Sequence, residues 1–341
     1  MGEPDSTRAP SIIDVAALAG VSRQTVSRVI NDHPAVSPPT RKRVRAAIEQ
    51  LGYRRNAAAR TLASKRSNVL GVAVTNMQLS GPSGALLGID QAARRAGYWV
   101  SVTFLRSHTK AEMDAALLHF LDQGAEGAVV IAPNQATLDA AAPLAGSLPM
   151  VLATSGDTAD LRLPSVDIDQ YAGASKAVRH LIELGHREIG HICGPEEEFQ
   201  AVRRAEAWRK ELGKAGLPLG PCETGDWQPS SGYEIGKRLA RNKDELPTAL
   251  FVGNDQMALG VLRAFTEAGI KVPQDVSLVG FDNSVGADNF VPPLTTINQD
   301  FSALGELCLD LVIDLIAGRE PISHQVVPDL VVRASTSPPQ R

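Results

Sequence analysis

Cysteine is scarce in this 341-residue chain: the three that occur, at positions 193, 222 and 308, are odd in number and widely spaced. None of the spacings typical of a zinc site or a redox-active dithiol is present. Such sparse use of cysteine fits a reducing compartment, because disulfides persist mainly in secreted proteins. We therefore expect a cytoplasmic protein without a structural metal.

Long apolar segments are missing as well. The apolar runs, such as Val69–Leu70 and Val72–Val74 on either side of Gly71, are far shorter than the roughly 18 residues of a membrane span. The stretch Met1–Ser11 is polar and has no apolar core of the kind found in secretory signals. We expect neither export nor a membrane partner. Hydrophobic (43%) and charged (21%) residues occur at ordinary globular levels, and the length fits two or three domains.

Catalytic motifs are absent from the sequence. His186 and His191 are five residues apart across a predicted helix-to-strand junction, which is not the spacing of a zinc pair. The nucleophile-elbow, Walker and dinucleotide-binding glycine patterns do not occur either. Asp167 and Asp169 point the same way on a strand, but no acid or base partner accompanies them. The sequence predicts a non-enzymatic protein that requires no cofactor.

Charge is divided unevenly along the chain. The whole sequence carries 34 lysines and arginines against 38 acidic residues, a net charge of −4. Residues 1–67 hold 12 of the basic and five of the acidic residues, so this segment has a charge of +7 and the remainder −11. This division predicts a basic module for a polyanion joined to a larger acidic body.

Three short helices are predicted within the basic segment. Ser11 is suited to cap a first helix that ends at Gly20, and Ser22 is suited to cap a second. Ser37–Pro38 predicts the start of a third helix, which ends before Gly52. Three short helices with a glycine in the first tight turn are typical of a helix-turn-helix arrangement.

The second of these helices has a polar outer face that carries Arg23, Gln24, Thr25, Ser27 and Arg28. Arginine pairs with guanine and glutamine with adenine in the major groove of DNA. The hydroxyls suited to phosphate contacts are those of Ser22, Thr25, Ser27 and Thr40. A three-helix bundle with a merely solvated face is the alternative; the capping residues, the glycine position and the charge of +7 favour DNA binding.

From residue 68 onward, short apolar runs alternate with longer amphipathic stretches. The runs predict buried parallel strands at Val69–Thr75, Trp99–Phe104, Gly127–Ala132, Pro149–Ala153, Ile189–Cys193, Ala249–Val252 and Val276–Phe281. The stretches predict crossover helices at Ser83–Ala96, Ala111–Gln123, Tyr171–Leu184, Ala201–Ala215, Tyr233–Ala240 and Asp255–Ala268. The alternation predicts a doubly wound α/β fold with strands enough for two sheets.

Polar loops follow these strands, at the edge where such sheets bind ligands. They are Leu79–Ser83, Pro133–Asn134, Thr154–Asp157, Cys193–Pro195 leading to Arg203–Arg204, Gly225–Trp227, Asn254–Asp255 and Phe281–Asn283. Amides and carboxylates bind vicinal hydroxyls, and an aromatic ring covers the apolar side of a pyranose, so the loops favour a polyhydroxylated ligand. Three simpler interpretations stay open: Asp255 as a helix N-cap, Trp227 as a core residue, and Arg204 as the surface partner of Glu206 or Glu198.

Several motifs together resemble the LacI/GalR family of transcriptional regulators. In the head they are Ile13–Asn31, Val36–Arg41 and Leu51–Asn56. In the body they are Gly185–His186, Gly194–Pro195, Gly225–Trp227, Asn254–Gly260, Val279–Asp282 and Pro292–Ile297. The resemblance covers nearly the whole chain. It implies a head at 1–55, a hinge helix at 56–67, and two lobes of the periplasmic-binding-protein type I fold, at 68–168 with about 300–326 and at 169–299 with about 327–337.

The resemblance also assigns residues to DNA. In this family the pair matching Arg23 and Gln24 chooses the operator, and the arginine matching Arg28 reads a further base; this pair differs from that of other members and implies a different operator. The segment 56–64 is too short to be helical alone, so we expect it to fold on DNA, with Leu62 as the hinge leucine wedged into the minor groove; a plain helical linker is the alternative. The residues implied in DNA contact are Ser11, Ser22, Arg23, Gln24, Thr25, Ser27, Arg28, Asn31, Ser37, Thr40, Tyr53, Asn56, Ala59 and Leu62.

An effector site between the lobes is implied in the same way. Its residues are Leu79, Pro82, Thr154, Ile168, Arg204, Trp227, Asn254, Asp282, Gln299 and Phe301. Thr154 and Ala132 stand where the family's sugar-binding pattern has an aspartate and an asparagine, so a related glycoside is expected rather than the same sugar.

The expected function is that of a cytoplasmic repressor, located at the nucleoid when on its operator and released from it by a sugar. A purine-type co-repressor that tightens DNA binding is the alternative. The chain ends at Pro338–Arg341 without a leucine heptad, so we expect a homodimer rather than a tetramer.

Overall fold

The computed structural model describes residues 10–53, 66–75, 77, 79–161, 163–242 and 245–340. The chain divides into two compact units, Met1–Ser67 and Asn68–Arg341, which we call the head and the body. The predicted hinge segment 56–64, with Asn56, Ala59 and Leu62, lies outside the described residues. Among the described helices, none has the length and apolar character needed to cross a membrane.

The described part of the head consists of three helices, as predicted. They are α1 (Ile12–Ala19), α2 (Arg23–Ile30) and α3 (Pro38–Leu51). Gly20 and Gly52 follow α1 and α3 with φ of 62° and 59°, a left-handed conformation that glycine adopts without strain. The core between the helices is built from Val15, Val26, Val29 and Val44 with three alanines. This is a small core, so the caps and turns contribute a large share of the local order.

The body contains two parallel sheets. Its strands are β1 (Val69–Val74), β2 (Trp99–Phe104), β3 (Gly127–Ile131), β4 (Met150–Ala153), β5 (Ser165–Ile168), β6 (Ile189–Cys193), β7 (Cys222–Thr224), β8 (Ala249–Val252), β9 (Ser277–Val279), β10 (Thr296–Asn298), β11 (His324–Val326) and β12 (Asp329–Val331). The first lobe is built on the sheet β11-β5-β4-β3-β1-β2, and the second lobe on the sheet β7-β6-β8-β9. Strands β10 and β12 form a separate antiparallel pair.

Helices cover both faces of each sheet. They are α4 (Ser80–Arg95), α5 (Lys110–Asp122), α6 (Gln135–Ala141), α7 (Gln170–Glu183), α8 (Phe199–Lys214), α9 (Pro229–Leu239), α10 (Asp255–Glu267) and α11 (Phe301–Ile316), with short 3₁₀ turns at Ala142–Leu144 and Ala287–Asn289. Two apolar clusters flank each sheet, as expected for a doubly wound fold. All seven predicted strands and six predicted helices of the body are present within a few residues of the expected bounds.

The chain passes between the lobes three times: after β5 at Ile168–Gln170, after β10 at Asn298–Phe301, and between β11 and β12 at Val326–Asp329. The return through α11 brings a carboxy-terminal helix back onto the first lobe, where it packs on α4 and on strands β3, β4 and β5. The alternation of strands and helices in the sequence does not predict α11, α6 or the short strands β5, β7, β10, β11 and β12. The predicted lobe boundaries agree with this arrangement of sheets and stay a prediction.

Candidate functional site

The head presents a polar face on α2. Ser22 caps this helix, since its Oγ accepts a hydrogen bond from the backbone N–H of Thr25 at 3.1 Å. Val26 and Val29 point into the core, so Arg23, Gln24 and Arg28 are left exposed. Residues one helical turn apart lie on the same face, which places these three side chains where one edge of a DNA groove could meet them.

The remaining described residues predicted to bind DNA are held by contacts with other residues of the head. Ser37 donates to Thr40 at 2.9 Å, and Asn31 donates to Ser27 at 3.5 Å, so their hydroxyls and amides are positioned by neighbours within the head. Ser11 and Asp14 form a capping box at the start of α1, in which the Asp14 carboxylate accepts from the hydroxyl and from the backbone N–H of Ser11, both at 2.7 Å. Tyr53 is half-buried against the core of the head.

All ten residues predicted to bind an effector line one cavity between the lobes of the body. The first lobe contributes Leu79 and Pro82 at the start of α4, Thr154 after β4, Ile168 in β5 and Phe301 at the start of α11. The second lobe contributes Arg204 in α8, Trp227 after β7, Asn254 after β8 and Asp282 after β9, and Gln299 lies in the second crossover. The lobes meet at the rim, where the hydroxyls of Ser80 and Ser284 are 3.0 Å apart and Phe199 N donates to Pro133 O at 3.0 Å.

Arg204 is buried at the centre of this cavity wall, with 4% of its surface exposed. Its guanidinium donates from Nε and Nη2 to Gln170 Oε1, at 2.9 and 2.7 Å, and from Nη1 to the carbonyl of Gly253. It also stacks on Phe281, with Cζ 3.6 Å from the ring centroid. The interpretation of Arg204 as a surface partner of Glu206 or Glu198 is therefore wrong. Its neighbour Arg203 makes that exposed pair, with Glu206 at 3.3 Å.

A closed ring of polar contacts joins Arg204 to two of the crossovers between the lobes. Gln170 donates to Gln299 Oε1 at 2.9 Å, and Gln299 donates to Asp282 Oδ1 at 2.7 Å. Asp282 Oδ1 lies 3.6 Å from Arg204 Nη2, which completes the ring. Burial raises the pKa of Asp282 to about 6 and lowers that of Arg204 to about 10, while the attraction between the two charges opposes both shifts.

Two of the lining residues have unusual backbone conformations. Trp227 has φ of 70° and Asp282 has φ of 107°, values that side chains other than glycine rarely adopt. Such conformations cost roughly 1–3 kcal/mol each and occur preferentially in binding and catalytic sites. The Trp227 ring lies against Gly194, where any larger residue would collide with it, and its Nε1 donates to Glu198 Oε2 at 3.0 Å. Trp227 thus belongs both to the apolar cluster of the second lobe and to the cavity wall.

Asn254, and not Asp255, is the N-cap of α10. Its Oδ1 accepts from the backbone N–H of Met257 at 2.9 Å, and its Nδ2 donates to the carbonyl of Trp227 at 3.0 Å. Asp255 is fully buried in the first turn, where it accepts from Thr296 Oγ1 at 2.6 Å and from Ser284 N at 2.7 Å. The alternative interpretation of Asp255 as the N-cap is therefore wrong by one residue. Burial, together with the nearby charge of Asp282, raises the pKa of Asp255 to about 7.

Three polar residues of the cavity wall lie outside the loops predicted from the sequence. These are Gln170, Glu198 and Gln200, and Asp167, considered above only as a catalytic acid, joins them. Glu198 follows the predicted Cys193–Pro195 loop, so its place in the chain is a usable signal. Gln170 has no such signal, because the strand before it, β5, is not predicted and its partners lie 34 and 129 residues away in the sequence.

A helix-turn-helix unit joined in one chain to a two-lobed α/β body is the arrangement of a bacterial transcription regulator. Comparison with known proteins agrees. Residues 11–56 match the model of "Bacterial regulatory proteins, lacI family", and residues 178–336 match that of a "Periplasmic binding protein-like domain".

Relatives match over nearly the whole chain. The lactose operon repressor of Escherichia coli (strain K12) is 35% identical over 330 residues, which cover 96% of this chain and 90% of that protein. The HTH-type transcriptional repressor PurR of Haemophilus influenzae (strain PittEE) is 33% identical, covering 95% and 98% of the two chains.

Solved structures give the same result. The lac repressor bound to ONPG in the repressed state superposes with a TM-score of 0.84 at 33% identity, covering 96% of this chain and all of that one. The complex of the transcriptional regulator CelR with cellobiose gives 0.68 at 31% identity, covering 96% and 99%. The chain belongs to the LacI family of bacterial regulatory proteins, whose members are transcriptional repressors and not enzymes.

Proposed function

We propose that this protein is a homodimeric repressor that leaves its operator when a neutral sugar or glycoside binds in the cavity between the lobes. The observation that carries the proposal is the composition of the cavity wall. Carboxylates of Asp167, Glu198 and Asp282 line it together with Asn254, beside the indole of Trp227. Oxygen acceptors next to an aromatic surface suit a ligand with many hydroxyl donors and an apolar ring face.

The charge of the wall favours a neutral ligand. Three carboxylates face one guanidinium, and that guanidinium already binds Gln170, Gly253 and Asp282. A phosphate or carboxylate on the ligand would approach uncompensated negative charge in a poorly solvated space. Within the described residues, the buried Gln200 Oε1 makes no hydrogen bond, so a hydroxyl that reaches it would gain an acceptor. Sugar phosphates and sugar acids are therefore disfavoured.

The site differs from the family's sugar-binding pattern at Thr154. Its hydroxyl donates to the carbonyl of Ala132 at 2.7 Å and accepts from the N–H of Gly156 at 3.1 Å, so it is used within the protein. A buried hydrogen-bonding group that is left without a partner, on the ligand or on the protein, costs roughly 1–3 kcal/mol of binding free energy. A glycoside with a different hydroxyl pattern fits this wall better than the sugar of that pattern. A relative that was crystallised with cellobiose supports a disaccharide as one such ligand.

DNA recognition is proposed for the exposed face of α2. Arg23 and Gln24 would read base edges, and the head's positive charge would contact phosphates. Binding of the ligand between the lobes would change their angle, and a coupling of about 1–3 kcal/mol gives a 5- to 150-fold change in operator affinity. Segment 56–64, which joins the head to the body in the sequence, would transmit this change to the head.

Dimerisation is supported by the edge of the first sheet. Strand β2 ends that sheet, and its Trp99 and Phe104 side chains are 60% and 59% exposed. An apolar edge strand is a surface that proteins normally cover. Two identical heads would then recognise the two halves of a pseudo-palindromic operator.

The test begins with a thermal-shift screen of the full-length protein. The panel contains neutral mono- and disaccharides, their phosphates, and purine bases and nucleosides. An operator is selected from a random DNA library, and its affinity is measured by fluorescence anisotropy with and without each hit, with light scattering to give the subunit number. We expect a neutral sugar to raise the melting temperature and to weaken operator binding at least fivefold in a dimer. A purine hit that tightens binding, or a phosphorylated hit, would overturn the proposal.

A further inference from the structure

Two of the three cysteines, which the sequence separates by 29 positions, are brought together at the edge of the second sheet. Cys193 ends β6 and Cys222 begins β7, and the parallel register places Cys222 opposite His191 and Thr224 opposite Cys193. Side chains two positions apart on a strand share a face, so both sulfurs lie on the same side of the sheet. The Cys193 thiol is held against β7, since its Sγ donates to the carbonyl of Glu223 at 3.2 Å and lies 3.4 Å from Thr224 Oγ1.

The two thiols differ in accessibility and in acidity. Cys222 is exposed on the edge strand, and Cys193 is buried beside it. The neighbouring Cys222 thiol lowers the pKa of Cys193 to about 6, against the opposing effect of burial, while the pKa of Cys222 is raised. The lowered pKa gives Cys193 thiolate character at neutral pH, and the exposed Cys222 beside it gives an oxidant access to the pair. Cys308, fully buried in the first lobe, has its pKa raised by burial and serves as an internal comparison.

We infer that Cys193 and Cys222 form an oxidant-sensitive dithiol that a peroxide converts into an intramolecular disulfide. The thiolate of the pair attacks one oxygen of hydrogen peroxide, the O–O bond breaks, and the other oxygen leaves as water after protonation. The resulting sulfenic acid is attacked by the second thiol, the S–S bond forms, and a second water leaves. Two thiols lose two protons and two electrons, and one peroxide is reduced to two waters.

Formation of this bond would act on the cavity between the lobes. Same-face diagonal neighbours on adjacent strands have Cα atoms roughly 7–8 Å apart, which is just beyond the usual disulfide range of about 4.4–6.8 Å. The bond therefore requires β7 to slide along β6, because the two strands are already paired side by side. Strand β7 has three residues, lies at the sheet edge and continues directly into Gly225 and Trp227, so the movement would shift the indole and its hydrogen bond to Glu198. This second step rests on the proposed function; the disulfide itself does not.

The test uses the full-length protein, freshly reduced and treated with a small excess of hydrogen peroxide. Remaining thiols are alkylated after denaturation and counted by intact mass, and peptide mapping identifies any cross-link. We expect a cross-linked peptide joining Cys193 to Cys222, formed about tenfold or more faster than Cys308 is lost. Loss of Cys308 at the same rate, links between chains, or three thiols still free would overturn the inference.

Matched variants separate the chemistry from its consequence. In Cys222→Ser, a change on the exposed edge, the disulfide should be abolished and a sulfenic acid at Cys193 should be trapped by dimedone. Cys308→Ser should leave the cross-link unchanged. Oxidation should alter tryptophan fluorescence in the wild type, and the change should be lost in Trp227→Phe and in Cys222→Ser. A cross-link that forms without any change in fluorescence would refute the movement of Trp227, whatever ligand the cavity binds.

Discussion

The head and the body hold the side chains that we propose to bind DNA and the ligand in opposite environments. In the head, Arg23, Gln24 and Arg28 are exposed on a helix whose other side packs the core through Val26 and Val29. In the body, Arg204 and Asp282 are 4% and 9% exposed and are bound to their neighbours. In the proposed function, the head therefore binds DNA through side chains that its core does not require. The body binds its ligand through side chains that also stabilise its fold. Substitutions in the two regions should show this difference directly.

The strongest test of that contrast is Arg204→Met compared with its exposed neighbour, Arg203→Met. Removal of Arg204 leaves Asp282 and the carbonyl of Gly253 buried without their cation, so the body should lose about 3 kcal/mol of unfolding free energy. Arg203→Met should cost under about 0.5 kcal/mol, because its pair with Glu206 is exposed. All three tryptophans lie in the body, so fluorescence during urea denaturation reports its unfolding alone.

The same variant tests the role of the cavity. At a temperature at which Arg204→Met remains folded, the response to the ligand should disappear, while operator affinity should stay within about threefold of the wild type. Equal stability of Arg204→Met and Arg203→Met would contradict the buried network. Loss of operator binding by a folded Arg204→Met protein would contradict its assignment to the effector site.

In the head, Arg23→Ala and Gln24→Ala should change function without changing the body's stability. Each base contact is worth about 1–3 kcal/mol, so affinity for the selected operator should fall accordingly and the preferred bases should change. The control variant is Arg43→Ala, which removes one positive charge from an exposed position on α3. It should weaken binding to all sequences alike and reduce the salt dependence by about one ion. An unchanged selected sequence in the α2 variants would exclude them from base reading.

The smallest expected effect concerns pH and the buried Asp255. A carboxylic acid whose pKa is about 7 when folded and near 3.8 when unfolded binds its proton more tightly in the folded state. Its contribution to stability is therefore largest below about pH 4 and is lost as the pH rises through 7. Between pH 8 and 6 the wild type should gain about 1 kcal/mol relative to Asp255→Asn.

The comparison must be made between variants, because His191 acts in the opposite direction. Burial lowers its pKa to about 4, so it favours unfolding as the pH falls below 6.5. In Asp255→Asn the amide can accept from Ser284 N and donate to Thr296 Oγ1, which preserves the local hydrogen bonds. Asp288→Asn, at an exposed position of the same lobe, is the control. A pH dependence that is identical in wild type and Asp255→Asn would show that Asp255 stays ionised in the folded protein.

The contrast also explains what the sequence could predict. The head follows from local rules: Ser22, Gly20 and Gly52 occupy the cap positions that those rules require. The strand-end loops of the body are predictable for a similar reason, since parallel strands end together at one edge. Strands such as β7, with the polar sequence Cys-Glu-Thr, are not predictable, because only pairing with β6 makes them extended. Gln170 is not predictable, because its role depends on hydrogen bonds to Arg204 and Gln299, which are distant from it in the sequence.

The ring formed by Arg204, Gln170, Gln299 and Asp282 has one more consequence. Gln170 and Gln299 lie in two of the three crossovers between the lobes. The hydrogen bonds of the ring therefore connect these two crossover segments. A ligand that binds Arg204 or Asp282 must replace hydrogen bonds that these two residues already make within the protein. A molecule that breaks these bonds and replaces only some of them gains nothing, since each unreplaced bond costs about as much as a good contact supplies. The hydrogen bonds of the ring thus set a threshold of binding free energy that a poorly matched ligand does not reach.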